Sequence, residues 1–459
     1  MPGVTPLRPK KMPADQPHNT DMGNSARMSR QHDGEIKYSR GLGWLAWDGA
    51  RFARDDGGEI ERRARETVKE IYIEAANAPD KESREALAAW AVKSESEQKI
   101  KSMISLCRSE ANVAVRADVF DRDPFLLNCT NGTLDLRTRE LRPHNRADLL
   151  TKVCGTRYDE AAVCPVWEKF LAEILPDKEL VTYVRKLFGL CLSGDASEQM
   201  LNIFWGSGGN GKSTLANVMW AVLGDYAEKA QAETLLTAHR SGGTARSDIV
   251  RLQGARLVTA SESEAGRALA EALVKELTGN EPITARPLYQ SEFTFEVQFK
   301  LILSTNHKPS IRGNDYAIWR RIRLVPFVVK ITDDKQDKAL PDKLRAELPG
   351  ILRWAVEGYE LWREKGLEPP EAVRAASAEY KAEQDVLADF LAAKCEDDPE
   401  ATTTAAALYS AYMEFSDELK LRARDILSNK AFNMALTERG IEGDRSRAGK
   451  FYYGLKLKV

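Results

Sequence analysis

Apolar positions recur with helical spacing in two charged stretches, Glu59 to Ala76 and Lys81 to Glu110, and predict amphipathic helices whose charge runs form solvated faces. "WLAWDGARF" (Trp44 to Phe52) predicts a short hairpin turning at Asp48-Gly49 between aromatic strands. "LLNCTNGTLDLRTRELRPH" (Leu126 to His144) alternates strand residues with a turn signal at Asn131-Gly132. Trp167 to Leu192 reads as two short helices, broken at Pro176 and ended by Gly194. From Met200 to Val329 the pattern runs strand, helix, strand, helix, strand, which predicts an α/β core with a largely parallel sheet. Pro349 to Lys365 is helical, with Gly366 as its stop. "CEDDPEATTT" (Cys395 to Thr404) reads as a polar linker into a small C-terminal unit. Met1 to about Glu35 lacks apolar periodicity, and burial too slight to offset chain entropy predicts a disordered arm. The expected organisation is therefore an arm over 1–35, an α-rich N-terminal domain over 36–195, an α/β core over 196–335, a helical segment over 336–395 and a C-terminal domain over 396–459.

Composition changes this picture little. With 67 Lys and Arg against 69 Asp and Glu, the 459-residue chain has a formal net charge of -2, so any nucleic-acid contact must come from local basic patches. Six cysteines without C-x-x-C spacing suggest neither a zinc site nor a disulfide framework. No apolar run approaches the roughly 18 to 20 residues of a membrane helix, and the first residues lack a signal peptide's apolar segment. The expectation is a protein of the host cytoplasm, without membrane contact.

The densest chemistry lies in "FWGSGGNGKSTLANVMW" (Phe204 to Trp220). An apolar strand precedes Gly206 and a helical pattern follows Lys212, so Gly206, Ser207, Gly208, Gly209, Asn210, Gly211, Lys212 and Ser213 match G-x-x-x-x-G-K-[ST] in its required setting, with Thr214 next in line. Glycines let backbone N–H groups converge on phosphate oxygens, and the helix N-terminus adds its positive dipole end. Lys212 would reach the β- and γ-phosphates, and the Ser213 hydroxyl would ligate Mg²⁺. The implied ligands are ATP and Mg²⁺.

Downstream, "GARLVTASESE" (Gly254 to Glu264) is a strand ending in two carboxylates, Glu262 and Glu264. "FKLILSTN" (Phe299 to Asn306) is a third strand ending in Asn306, and "DYAIWRRIRLVPF" (Asp315 to Phe327) sets Arg320 and Arg321 before a further strand. The order of these parts resembles superfamily 3 helicases, most closely the phage and plasmid primase-helicase family. "VKELTGNEPITARPLY" (Val274 to Tyr289) is similar to the extra motif that family places before its third strand. "LLNCTNGTLDL" and "CPVWEKFLAEI" resemble its preceding poxvirus-type N-terminal domain, and "LYSAYMEF" and "GKFYYGLKL" its terminal winged helix. The resemblance implies a phosphate-loop NTPase core of the AAA+-like kind. It gives Lys212 and Ser213 to phosphate and Mg²⁺, Glu262 and Glu264 to metal and water, Asn306 to sensing, and Arg320 or Arg321 to an arginine finger reaching the neighbouring subunit. Ser261 stands where wider phosphate-loop enzymes often carry an acid, which leaves metal ligand and base unapportioned between the two glutamates.

"EPITARPLYQSEFTFEVQF" (Glu281 to Phe299) reads as two strands around a turn near Tyr289 to Glu292. The resemblance implies a hairpin in the pore of a homo-hexameric ring, where Arg286 offers a phosphate contact and Tyr289 a stacking face for one DNA strand. From Lys420 to Val459, ten Lys or Arg face four acids, a surplus of 10 - 4 = +6. Lys430, Arg445, Arg447 and Lys450 are the expected duplex contacts of a helix and wing in that segment. The expected activity is ATP-dependent DNA unwinding in replication, 3′ to 5′ by family analogy, alongside other replication proteins and without primer synthesis by this polypeptide. The rival reading is a nucleotide-switched initiator that binds or melts an origin without processive unwinding.

Overall fold

The computed structural model describes residues 17–236, 247–262, 267–285, 293–311, 316–332, 334, 336–421, 426–446 and 449–458. Helix α1 (Asp21–Gln31) corrects the expected disordered arm, of which residues 1–16 lie outside the described ones. Thr20 caps it by accepting from the Gly23 amide. Its order comes from polar pairs with distant residues, which leave no apolar period to read. Asn24 donates to Ser94 Oγ at 2.9 Å, Ser25 to Glu110 at 2.8 Å, and Arg27 pairs with Glu74. Buried polar groups satisfied in this way can hold a helix that hydrophobic spacing would not predict.

Strands β1 (Ile36–Ser39), β2 (Gly43–Trp47) and β3 (Phe52–Arg54) form an antiparallel sheet with the expected turn, where Asp48 Oδ1 accepts from the Ala50 and Arg51 amides. Helix α2 (Glu59–Ala76) follows as expected, whereas the second charged stretch divides into α3 (Lys81–Ser94) and α4 (Glu97–Cys107). Ser96 starts the second of these as its N-cap. Strands β4 (Leu126–Cys129), β5 (Gly132–Asp135) and β6 (Glu140–Arg142) make a meander, and α5 (Pro165–Ile174) and α6 (Lys178–Leu190) are the two expected short helices.

The α/β core begins with β7 (Leu201–Trp205), α7 (Lys212–Leu223), β8 (Ala227–Lys229), α8 (Ala232–Leu235) and α9 (Ser247–Val250). It continues through β9 (Leu257–Glu262), α10 (Glu271–Leu277), the two-stranded β10 (Ile283–Ala285) and β11 (Phe293–Phe295), β12 (Lys300–Thr305), α11 (Tyr316–Trp319) and β13 (Ile322–Pro326). The five-stranded sheet is parallel throughout, in the order β13-β7-β12-β9-β8. Helices α12 (Leu340–Ala346) and α13 (Leu348–Lys365) pack against α7, and Gly366 ends α13 at a positive φ of 64°. One buried cluster joins Trp167, Phe188, Leu215 and Trp354, so the core runs unbroken across residue 195 from α5 and α6 into α7 and α13.

Helix α14 (Glu371–Glu383) lies against β13, where Ser377 Oγ accepts from the Leu324 amide. Then α15 (Val386–Lys394), β14 (Cys395–Thr404), α16 (Ala405–Glu418), α17 (Asn429–Glu438), β15 (Gly443–Ser446) and β16 (Gly449–Leu457) build a unit with its own core around Phe390, Tyr412, Phe432 and Tyr452. The expected linker "CEDDPEATTT" is instead β14, an edge strand paired with β16. Edge position lets a strand expose polar side chains on both faces, and only Cys395 is buried, so alternation is missing from its sequence. Among the described residues no helix is long and apolar enough to cross a membrane.

Candidate nucleotide site and DNA-facing elements

The site forms where the parallel strands end. Register sets Pro326, Trp205, Thr305 and Glu262 side by side across β13, β7, β12 and β9, so the residues after these positions share one rim of the sheet. Gly209 and Gly211 have φ of 74° and 82°, which side chains rarely adopt, and a Cβ on Gly211 would lie 2.5 Å from Ile174 Cγ2. The loop is strapped from behind by the chain after β13. Ile331 donates its amide to Gly209 O at 2.7 Å, and Asn210 Nδ2 donates to Phe327 O at 3.2 Å. Ser207, Gly208 and Gly209 are exposed along the outer edge.

Lys212 opens α7 and is buried, yet its ammonium meets four oxygens. Nζ donates to Gly206 O at 2.6 Å, Asn210 Oδ1 at 3.1 Å, Asn306 Oδ1 at 3.4 Å and Ser207 O at 3.5 Å. Burial lowers its pKa from the ordinary lysine value. The structure thus brings Lys212 and Asn306 together across 94 residues of sequence. Glu262 ends β9 on the same rim, its side chain only 7% exposed and its carboxylate 3.4 Å from Arg267 Nε. Ser213 and Thr214 follow in the first turn of α7, with Ser213 exposed. A hydroxyl at the start of α7 and a carboxylate at the end of β9 are donors of the kind Mg²⁺ takes, since it uses few protein ligands and completes its octahedron with phosphate oxygens and water. Glu264 lies outside the described residues.

The two arginines part company. Arg321 turns inward, Nε donating to Thr278 Oγ1 at 3.0 Å and Nη1 to Ala317 O at 2.6 Å. Arg320 is exposed, with Nη2 3.3 Å from Gln199 Oε1. Strands β10 and β11 pair antiparallel from Ile283 opposite Phe295 to Ala285 opposite Phe293, so the expected hairpin has its base, while Arg286 and Tyr289 lie outside the described residues. In the C-terminal unit Lys430 is exposed at the start of α17, which Ser428 caps. Arg445 and Lys450 stand directly opposite each other on β15 and β16, and Arg447 lies outside the described residues. Like charges facing across strands destabilise a hairpin, and a polyanion would relieve them. Sequence reasoning missed Arg267 and the Phe327 to Ile331 strap. Neither carries a spacing signal, because each acts by a contact that only the folded sheet creates.

A parallel sheet in this order, with a strand–glycine loop–helix beside its central strand and polar residues on the adjoining strand ends, has the architecture of an α/β phosphate-loop core. Residues 25–176 match the family model described as D5 N terminal like, and residues 204–321 match one described as a family of unknown function, DUF5906. A helicase-named protein of Acanthamoeba polyphaga mimivirus is 28% identical over 292 residues, covering 59% of this chain and 30% of that protein. A helicase-named protein of Frog virus 3 is 27% identical over 65% of this chain and 31% of its own length. A primase-named protein of African swine fever virus is 25% identical over 44% of this chain and 22% of its own length. The chain therefore spans about a third or less of the length of these relatives. The N-terminal part of the chain is thus similar to the D5 N terminal like family, and longer stretches are similar to parts of viral proteins named helicase or primase.

Proposed function

We propose that the chain is an ATP-dependent DNA helicase in the replication of a virus, phage or plasmid-like element. The observation that carries the reading is the rim on which Lys212, Asn306 and Glu262 converge, beside an exposed Ser213. Lys212 neutralises charge developing on the transferred phosphoryl group, Asn306 orients the attacking water, and Ser213 with Glu262 holds Mg²⁺. Mg²⁺ supplies further neutralisation of phosphate charge. Arg320, exposed while Arg321 is held inside its own subunit, is the better arginine finger for a neighbouring site in a homo-hexamer. The β10–β11 hairpin grips single-stranded DNA in the pore, and movement is 3′ to 5′. The C-terminal unit, three helices on a three-stranded sheet, acts as a winged helix on duplex DNA, with α17 and the Arg445–Lys450 pair facing phosphate. The test is strand separation on a forked DNA with ATP and Mg²⁺, run for wild type and Lys212→Ala. Unwinding that disappears in the variant supports the helicase. Hydrolysis stimulated by DNA with no unwinding by wild type moves the reading to a nucleotide-switched initiator, a reading that the opposed Arg445 and Lys450 also favour.

A further inference from the structure

The loop that follows Asn306 is clamped by the last turn of α14. The turn begins locally, where Thr305 Oγ1 accepts from the His307 amide at 3.1 Å and donates to His307 O at 2.6 Å. Beyond it, Ser310 exchanges backbone hydrogen bonds with Arg267 and Leu269, both at 2.9 Å, and α14 with its C-cap adds side-chain contacts. Tyr380 donates its hydroxyl to Pro309 O, Gln384 Oε1 accepts from the Ile311 amide at 3.1 Å, and Glu383 takes Lys308 Nζ on both oxygens at 2.7 and 2.8 Å.

Lys308 also touches the strand that leads into the glycine loop. Its ammonium lies 4.7 Å from the ring centre of Trp205, the last residue of β7 before Gly206, and 5.7 Å from that of Tyr380. Its side chain is 13% exposed, a setting in which cation–π and ion-pair contacts are worth more than in water. At the other end, Asp385 stands two residues past Glu383. It caps α15 by accepting from the Ala388 amide at 3.0 Å and pairs with Arg439 at the end of α17. Two sets of polar and ring contacts, joined by the backbone between Glu383 and Asp385, therefore link the C-terminal unit to the end of β7 and to the loop that follows Asn306.

Building on the nucleotide reading above, we infer that Lys308 is a positioning residue that couples the nucleotide site, through Glu383 and α14, to the C-terminal unit. Physical continuity alone does not make coupling, because the linked elements must respond together to one ligand. The ligand used as probe is ATP with Mg²⁺, and the response is the rate of backbone hydrogen exchange in the full chain. In wild type, added ATP slows exchange over 206–216, over 301–311 and over 380–394. In Glu383→Gln, which keeps Lys308 and its ring contacts, slowing persists over 206–216 and is lost over 380–394. Lys308→Met behaves as Glu383→Gln does, and Lys308→Arg retains the wild-type pattern because it keeps the cation.

A coupling of the ordinary size corresponds to about a five-fold or larger change in ATP affinity on forked-duplex binding in wild type, absent in Glu383→Gln. Slowing over 206–216 without any over 380–394 in wild type overturns the inference and leaves the nucleotide reading standing. Retention of the α14 response in Glu383→Gln also overturns it. No slowing anywhere in wild type overturns both, and the absence of protection over 206–216 identifies the nucleotide reading as the failure.

Discussion

The parallel sheet carries a buried lysine near each end, and the two live differently. Lys212, at the carboxyl ends of the strands, rests on oxygens of a glycine-rich loop and of two asparagines, beside an exposed rim. Lys300 opens β12 at the opposite end and donates to the carbonyls of Ser193, Asp195 and Gln298. Beside it, the guanidinium of Arg256 donates to Leu126 O at 2.6 Å and to Leu192 O, and its centre lies 4.3 Å from the Tyr226 ring centre. The amino end thereby ties the N-terminal domain to the core, and its two cations are buried against backbone carbonyls. A buried cation reads as functional when its acceptors lie on an exposed loop that a phosphate can reach, and as structural when backbone carbonyls enclose it.

Substitution at the two ends should break apart activity and stability. The largest effect expected is on catalysis. Lys212→Ala should lower ATP hydrolysis by at least ~10²-fold, the loss typical of one preorganised charge-stabilising donor, with the unfolding midpoint nearly unchanged. Steady-state hydrolysis and thermal unfolding on the same preparation check it, and a large loss of stability would undo the contrast. Arg256→Met should do the reverse, costing about 2–5 kcal/mol of stability by leaving the carbonyls of Leu126 and Leu192 unpaired, as urea unfolding would measure.

The arginine pair sharpens the same distinction at closer range. Arg320→Ala should reduce hydrolysis and leave the unfolding midpoint in place, and subunits carrying it should regain activity when mixed with Lys212→Ala subunits. Arg321→Ala should instead destabilise by roughly 1–3 kcal/mol, since Thr278 Oγ1 and Ala317 O lose their donor. Equal loss of hydrolysis in both variants without unfolding would erase the inward and outward assignment.

A further effect is a pH slope. Burial pushes Lys300 down to about 7, below the ordinary lysine value of 10.5. Between those values the unfolded chain holds a proton that the folded chain has released, so stability rises with pH across that window and is flat with respect to this group below about 7. Lys300→Met should remove that part of the rise, read as the difference between the two proteins' unfolding midpoints from pH 7 to 10. Parallel curves for wild type and variant would show that the group keeps its proton.

Much of the architecture was legible because its signals are local. The turn at Asp48-Gly49, the turn that falls one residue early at Thr130-Asn131, the stop at Gly366 and the strand, glycine loop and helix around Gly206 each depend on a few adjacent residues. Helix α1 escaped because Asn24, Ser25 and Arg27 find partners at Ser94, Glu110 and Glu74, far along the chain. Strand β14 escaped because an edge strand can stay polar on both faces. The same division runs through the site. Lys212, Ser213, Glu262 and Asn306 stood at strand ends and loop positions with recognisable spacing, but nothing in "WRR" distinguishes Arg320 from Arg321.

The order of amino acids by itself determined the glycine-rich loop between strand and helix, the run of alternating strands and helices, and the basic surplus of the last forty residues, because each is a matter of neighbours and composition. The tertiary structure alone decided that Asn306 meets Lys212, that Arg267 meets Glu262, that Arg321 faces the core, and that Lys308 bridges Trp205 to Glu383. Those pairings depend on which strand lies beside which and which helix covers an edge, a choice made by burial over the whole chain.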